Sequence, residues 1–540
     1  MLQKLEKVLK DTDLNPISWL LGISGILMVR FFLEALSSPS LSGIIASDAS
    51  TLLHYYLFWI FLALGGMIFA RFAVPRWREL APQIVLFLFV LIYIAPIVDF
   101  ISSGGMGIRM SYLYNEPKEL LYSFATFFGP LANGITIGIR LEILTILALA
   151  GMIIQRVQKD LVRTIVSVVI LYTLIFVSLS LPSLISLGNS LGPNSFGRFF
   201  GDIILNSATF QNNLHGTLLY AYPARALEIG FNFFMGKIWY LVAVVLAIAW
   251  FFLSQKEKTA AVFKNSRGER VVAHLIVVSI GLGLSIIISP ADAFSWNDFL
   301  SIVSLFLSFY FSWMFAICIN DLADEKIDEI SNKERPLIKG ALSRDKLKIA
   351  SYLFLTVSLI GAFLAGYYAF FCVLAFTSLY YIYSAPPTRF KRIPFFSSFL
   401  IALCCLSELI AGFFLLSYSK ELSVLPVRAI VGIVALVFLW SHIRDLKDVE
   451  GDRAAGISTV PVIFGRYGFI AVAVMASPAY LLVPVFTQTN TLFIPAIPAA
   501  FATYYFITKK PYREWPIFAT CFTFVAIGVV FVLISTKYLF

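Results

Sequence analysis

Two short stretches of the chain hold acidic residues in a pattern that could do chemistry. "INDLADEKID" (319–328) places Asp321, Asp324 and Asp328 at i, i+3 and i+7, a spacing that keeps three carboxylates on one side of a helix. Asn320 adds a neutral oxygen beside them. "RDLKDVEGDRAAG" (444–456) repeats the spacing with Asp445, Asp448 and Asp452. One such cluster by itself is usually no more than a solvated helix end, but two with identical spacing, each following a long apolar run, are harder to explain that way. Six carboxylates brought into one small volume repel one another unless a cation is present. Hard divalent cations take oxygen ligands, and Mg2+ typically uses a few carboxylates while leaving positions for water and phosphate oxygens. The pattern therefore predicts a Mg2+-held diphosphate site.

A third stretch, "YSAPPTRFKRIP", brings Arg389, Lys391 and Arg392 close to Tyr383 and Ser384. Cations here could grip diphosphate oxygens that the metal leaves free, although basic residues are also ordinary in loops between membrane helices. Glu408, in "CCLSELIAGFF", is an ionisable residue well inside an apolar run, where charge is costly and usually functional. It is a candidate for orienting or deprotonating an acceptor, as is His442, one turn before Asp445.

The elements that must position these residues are membrane helices. Of 540 residues, 59% are hydrophobic and 13% charged, and the mean hydropathy is +0.86, far from a soluble globular profile. Apolar runs long enough to cross about 30 Å of hydrocarbon recur throughout: 19–35, 54–74, 83–101, 135–154, 161–187 and 238–254 in the first half. The second half adds 271–288, 299–318, 347–365, 367–383, 396–417, 428–441, 469–486, 491–507 and 515–533. The expectation is an all-α integral membrane protein of six spans followed by nine. The first span is expected to stay uncleaved, because no small-residue cleavage site follows it. Basic loops fall on alternate connections, which puts the N-terminus and both acidic motifs on the cytoplasmic side of a cell membrane and the C-terminus outside. The polar stretch 256–270 is the expected linker, giving an N-terminal domain 1–265 and a C-terminal domain 266–540. Segments 102–133 and 188–237 are too long for simple turns and are expected to hold interfacial helices.

"NDLADEKIDEISNKERPLIKG", "YSAPPTRFKR" and "RDLKDVEGDRAAGISTVPVIFG", in that order and at those separations, resemble the three signature regions of the UbiA superfamily of intramembrane prenyltransferases. The nine spans from 271 onward equal that family's helix count, so the resemblance covers about half the chain. It implies a nine-helix bundle that moves a polyprenyl group from its allylic diphosphate to an aromatic or lipid acceptor. By the same resemblance, Asn320, Asp321, Asp324 and Asp328 hold one Mg2+, Asp445, Asp448 and Asp452 hold another, and the diphosphate bridges the two.

Nothing comparable marks the first half. Arg30 and Glu34, at i, i+4, most simply neutralise each other, and Arg140 and Glu142 are further charges inside a span. "SGGMGIR" follows no strand and fails the context test for a phosphate loop. The five cysteines and four histidines lack zinc or disulfide spacing. The formal charge of +10 lies in short loops rather than in a basic, aromatic-lined groove, so nucleic acid is not an expected partner. The rival reading is a transporter or flippase, which would place its ionisable groups near the midplane; here the acids sit at helix ends.

Overall fold

A computed structural model describes residues 2–36, 49–105, 111–113, 119–130, 135–186, 195–211, 223–291 and 293–537. Among these the regular elements are all helical. Fourteen helices are long and apolar enough to cross a bilayer, and Trp515–Phe531 adds a shorter apolar stretch. The chain is an integral membrane protein of the all-α class.

The chain divides into two units, Met1–Lys256 with Ser295–Asn297, and Glu257–Phe294 with Asp298–Phe540. The division falls earlier than the expected 265/266 boundary, and the expected linker is largely helix. One helix runs from Pro223 to Lys264, with non-helical dihedrals at Gln255, and the next begins at Gly268 after Arg267 in the left-handed region. The charged side chains of 256–264 read as a loop because they are polar, yet Lys, Glu, Thr and Ala are good enough helix formers to continue the helix beyond its apolar part. Of the segments expected to hold interfacial helices, the described parts contain Leu120–Ala125, Ser195–Leu205 and Ala208–Gln211. Residues 106–110, 114–118, 131–134, 187–194 and 212–222 lie outside the described set.

In the first unit, charge is neutralised inside the helices. The Arg30 side chain is 1% exposed and meets Glu34 and Glu142, each at 2.7 Å. Pairing with Glu142 joins helices Pro16–Leu36 and Ile137–Gln158, a link that the local i, i+4 reading missed. Arg140 donates instead to the carbonyls of Gly129 and Pro130. His54 is fully buried between Asn232 and the Tyr112 hydroxyl, at 2.8 and 2.6 Å.

In the second unit, Phe396–Leu416 is the innermost helix, with 78% of its apolar window buried. It packs against Gly268–Ile288, Tyr367–Ser384 and Val427–Trp440. The first of these contacts is made backbone to backbone. A Cβ on Gly281 would lie 2.2 Å from the Leu409 carbonyl oxygen, and one on Gly412 would lie 2.2 Å from that of Val278. Without a strong hydrophobic drive between helices in lipid, close approach through small residues supplies the packing energy. The expected span 469–486 is two pieces, Gly468–Ala476 and Ala479–Thr487, separated at Pro478, which cannot donate the hydrogen bond that would continue the first.

Candidate functional site

The first acidic motif does not ride on one straight helix. Trp296–Ala323 carries Asn320 and Asp321 and then stops. Asp324 leaves helical geometry at φ −104°, ψ 13°, and starts the short helix Glu325–Ser331 that bears Asp328. The second motif is built alike. Val427–Trp440 tightens into a 3-10 turn over Ser441–Lys447, Asp448 breaks at φ −101°, ψ 4°, and Val449–Ala454 carries Asp452. Each break turns a row of acids about 10 Å long on a straight helix into a corner centred on the middle aspartate.

The two corners meet. A Cβ on Gly451 would fall 2.4 Å from Ser331 Oγ and 2.8 Å from Ile327 Cγ2, so only glycine lets the short helices approach this closely. The Gly451 N–H donates to Ser331 Oγ at 2.9 Å. Asn332 Nδ2 donates to Asp328 Oδ1 and to Asp448 Oδ1, both at 2.8 Å, so one carboxamide joins the two motifs.

They border a partly open cavity. Asp324, Asp328, Asp445, Asp448 and Asp452 line it, with Asn320 beside them. Five cations face the acids: Arg267, Arg270, Arg335, Lys391 and Arg444. Repulsion between the carboxylates is thus offset in part by the chain itself. The compensation is uneven. Asp324 is held by Arg389 Nη2 at 2.6 Å and Lys391 Nζ at 2.5 Å, whereas among the described residues no ion pair holds Asp445, Asp448 or Asp452. Burial, opposed by Lys391 and reinforced by Asp445 and Asp448, pushes Asp452 up to about 7. Burial also pushes Asp328 up to about 6, against Arg335 and with Asp321. Burial and the nearby Arg335 lower Arg267 to about 10, against the pull of Asp321.

Oxygen-only donors gathered in one cavity are the set that a hard divalent cation satisfies, and Asn320, Asp324, Asp328, Asp445, Asp448 and Asp452 fit Mg2+ on that ground. The lining also has an apolar and aromatic part, made by Trp313, Ala316, Ile317, Tyr380 and Tyr383. Arg444 Cζ stands 5.4 Å from the centroid of the Tyr383 ring.

Of the residues singled out from sequence, Asn320, five of the six aspartates, Tyr383, Ser384 and Lys391 come together in this cavity. Asp321 does not line it. Its carboxylate takes Arg335 at 2.8 Å, Arg267 at 3.1 Å and Asn265 at 2.6 Å, so it anchors two of the lining arginines from behind. Arg389 reaches the site through Asp324, while Arg392 is exposed. His442 is buried and shares a hydrogen bond with Ser398 Oγ at 3.0 Å; Glu408 is fully buried with His274 Nδ1 2.7 Å away. Neither lines the cavity.

Sequence reasoning missed Arg267, Arg270, Arg335, Arg444, Asn332 and Glu514. Glu514 binds Arg270 at 2.7 Å and Lys447 at 2.9 Å, tying the start of one helix to the turn that bears the second motif. An acid directly after Arg513 in "YREW" was the available signal.

Residues 276–535 match the model of the UbiA prenyltransferase family. The chain is 28% identical over 167 residues to digeranylgeranylglyceryl phosphate synthase of Pyrococcus horikoshii, covering 31% of this chain and 57% of that protein. It is 25% identical over 223 residues to the synthase of the same name in Methanocaldococcus jannaschii, covering 40% and 75%. It is 30% identical over 186 residues to the chloroplastic chlorophyll synthase of Avena sativa, covering 30% and 47%. A solved UbiA homolog from Archaeoglobus fulgidus bound to GPP and Mg2+ is 20% identical, with a TM-score of 0.40 over 51% of this chain and 97% of that one.

Proposed function

Because the C-terminal half of the chain belongs to the UbiA prenyltransferase family, we propose that the cavity between its two acidic corners transfers a polyprenyl group from an allylic diphosphate to an acceptor within the membrane. The observation that carries this reading is the joining of the motifs: Asn332 bonds Asp328 and Asp448 at once, in a cavity lined by both cations and aromatic rings.

Asn320, Asp324 and Asp328 would hold one Mg2+, and Asp445, Asp448 and Asp452 would hold a second, with Asp321 setting Arg267 and Arg335 behind the first. When bound, these ions supply Lewis-acid neutralisation of the charge that builds on the diphosphate as its C–O bond breaks. The chain does the rest. Lys391, Arg270 and Arg444 line the cavity and offer charge-assisted hydrogen bonds to diphosphate oxygens. Arg389 keeps Asp324 in place. Trp313, Tyr380 and Tyr383 exclude water from the allylic carbon, and their ring faces favour a developing positive charge. The polyprenyl tail stays among lipid-facing helices, so a long donor never leaves the bilayer. The alternation of basic loops supports a cytoplasmic position for this end of the protein, with the N-terminus there and the C-terminus outside.

Full-length protein in phospholipid nanodiscs, given radiolabelled geranylgeranyl diphosphate, Mg2+ and a panel of isoprenyl glyceryl phosphate, phenolic and tetrapyrrole acceptors, is expected to yield one labelled covalent product, lost with EDTA and in Asp324→Ala. Label that crosses liposomes without forming a product would replace this reading with transport.

A further inference from the structure

Directly behind the aromatic part of the cavity lies a pair of ionisable groups that the ionisation step does not use. Glu408, on the innermost helix, is 0% exposed, and neither of its carboxylate oxygens, nor His274 Nδ1 beside them, has an aligned hydrogen-bond partner among the described residues. His274, on Gly268–Ile288, brings Nδ1 to 2.7 Å from Glu408 Oε1. The other face of the imidazole looks toward the cavity: Nε2 lies 3.4 Å from the Tyr380 hydroxyl, and Tyr380 is a lining residue. The imidazole ring stands 4.7 Å from Trp313, centroid to centroid, and 5.5 Å from Phe376, which keeps it from swinging away. A carboxylate in an apolar interior is expensive to maintain, and a histidine that has an acid within reach of one nitrogen and a hydroxyl of the reaction chamber within reach of the other is placed to act as a base.

We propose that Tyr380, His274 and Glu408 form the proton-accepting chain for the incoming acceptor, which is therefore a molecule with an acidic O–H or C–H to lose. This rests on the prenyl-transfer reading above. With Nδ1–H facing Glu408, the Nε2 lone pair accepts from the Tyr380 O–H. As the C1–O bond of the donor breaks, its electron pair leaves with the diphosphate, and a lone pair or π pair of the acceptor forms the new bond to C1. The acceptor's proton passes to the Tyr380 oxygen while the Tyr380 proton moves to His274 Nε2. The imidazolium so formed faces the Glu408 carboxylate, giving a neutral pair in a medium that penalises net charge. The proton returns through Tyr380 to the departing diphosphate, which carries it out, so the site ends each cycle as it began. Tyr380 is the group that touches the acceptor; His274 and Glu408 act through it as positioning residues.

The test uses the full chain in nanodiscs, geranylgeranyl diphosphate, Mg2+ and the acceptor turned over in the panel assay. The readout is the ratio of transfer product to geranylgeraniol formed by water capture, counted above an EDTA blank. That ratio is insensitive to how much protein folds. In Tyr380→Phe, His274→Gln and Glu408→Gln it is expected to fall at least tenfold, because the cation forms but the acceptor cannot shed its proton. The double variant Tyr380→Phe/Glu408→Gln should fall no further than the worse single, as links of one chain are not additive. Ratios within twofold of wild type in both Tyr380→Phe and Glu408→Gln would overturn the proposal and make the diphosphate its own base. So would a double variant that loses the product of the two single effects. A thiophilic metal ion retained in equal amount by purified protein and lost in Cys405→Ala would also overturn it, since Cys405 Sγ, His274 and Glu408 offer donor atoms within 4.8 Å of one another. Wild-type protein that releases no diphosphate at all fails the prenyl-transfer reading instead.

Discussion

Raising or lowering pH should switch metal binding through two identifiable carboxyls. Asp452 titrates at about 7 and Asp328 at about 6, while an ordinary aspartate titrates near 3.8. Mg2+ needs the ionised form. Between pH 7.5 and 5.5, a group at about 7 drops from roughly 75% to roughly 3% ionised, and one at about 6 from roughly 97% to roughly 24%. The site that contains Asp452 weakens roughly 25-fold, or about 1.9 kcal/mol, and the site that contains Asp328 roughly 4-fold, or about 0.8 kcal/mol. Ordinary carboxylates would change either site hardly at all over the same range. Calorimetric titration of Mg2+ into the protein without diphosphate, at several pH values and in buffers of different ionisation enthalpy, should show this slope and the release of about one proton per protein at pH 6.5. The sign for stability runs the other way. The folded, metal-free protein holds protons that the unfolded chain releases, so its stability falls as pH rises from about 4 to 7, and added Mg2+ reverses the loss. A pH-independent Mg2+ affinity would refute the argument that burial and crowding of the acids govern the site.

The remaining expectations concern the scaffold around the acids. Glu514→Gln removes the partner of both Arg270 and Lys447 and should cost about 2 kcal/mol in thermal unfolding. Although burial opposes it, those two cations hold Glu514 at about 2, so its contribution is present above the usual carboxylate range and is lost as pH falls from about 4.5 toward 2. Gly451→Ala forces the short helices apart and should weaken Mg2+ binding more than tenfold, read by the same calorimetry, while leaving the far-ultraviolet helix signal in place. Lys391→Gln should raise KM for the diphosphate by about tenfold through loss of a charged donor, measured by initial rates. Gly412→Ala places a methyl against the Val278 backbone and should destabilise by about 1–3 kcal/mol, seen as a lower Tm in detergent.

The apolar runs made the membrane helices legible in sequence, and the echo of Asp445, Asp448 and Asp452 made the partnership of the two acidic stretches legible as well. Spacing alone said less about direction. A straight-helix reading placed Asp321 with the others, but the break at Asp324 leaves it on the preceding helix, where Arg267 and Arg335 take it. The lining arginines were hidden by their company, because Arg267, Arg270 and Arg335 lie in polar stretches where positive charge is expected for topology alone. Asn332 carried no signal at all, since an asparagine in a loop is ordinary until two carboxylates are seen on either side of it. Glu408 was noticeable as an acid in an apolar run, yet its partner His274 belongs to another helix and only packing brings them together. The same holds for Arg30 and Glu142.

The backbone contact at Gly281 and Gly412 sets a dimension elsewhere. His274 precedes Gly281 by about two helical turns, and Glu408 precedes Gly412 by about one, so the two helices that cross there are the ones that bring imidazole and carboxylate within 2.7 Å. The girth of two glycines therefore works as a gauge for the gap between that imidazole and that carboxylate, and a slightly larger side chain at either crossing point would widen it while the acids and arginines of the cavity stay as they are.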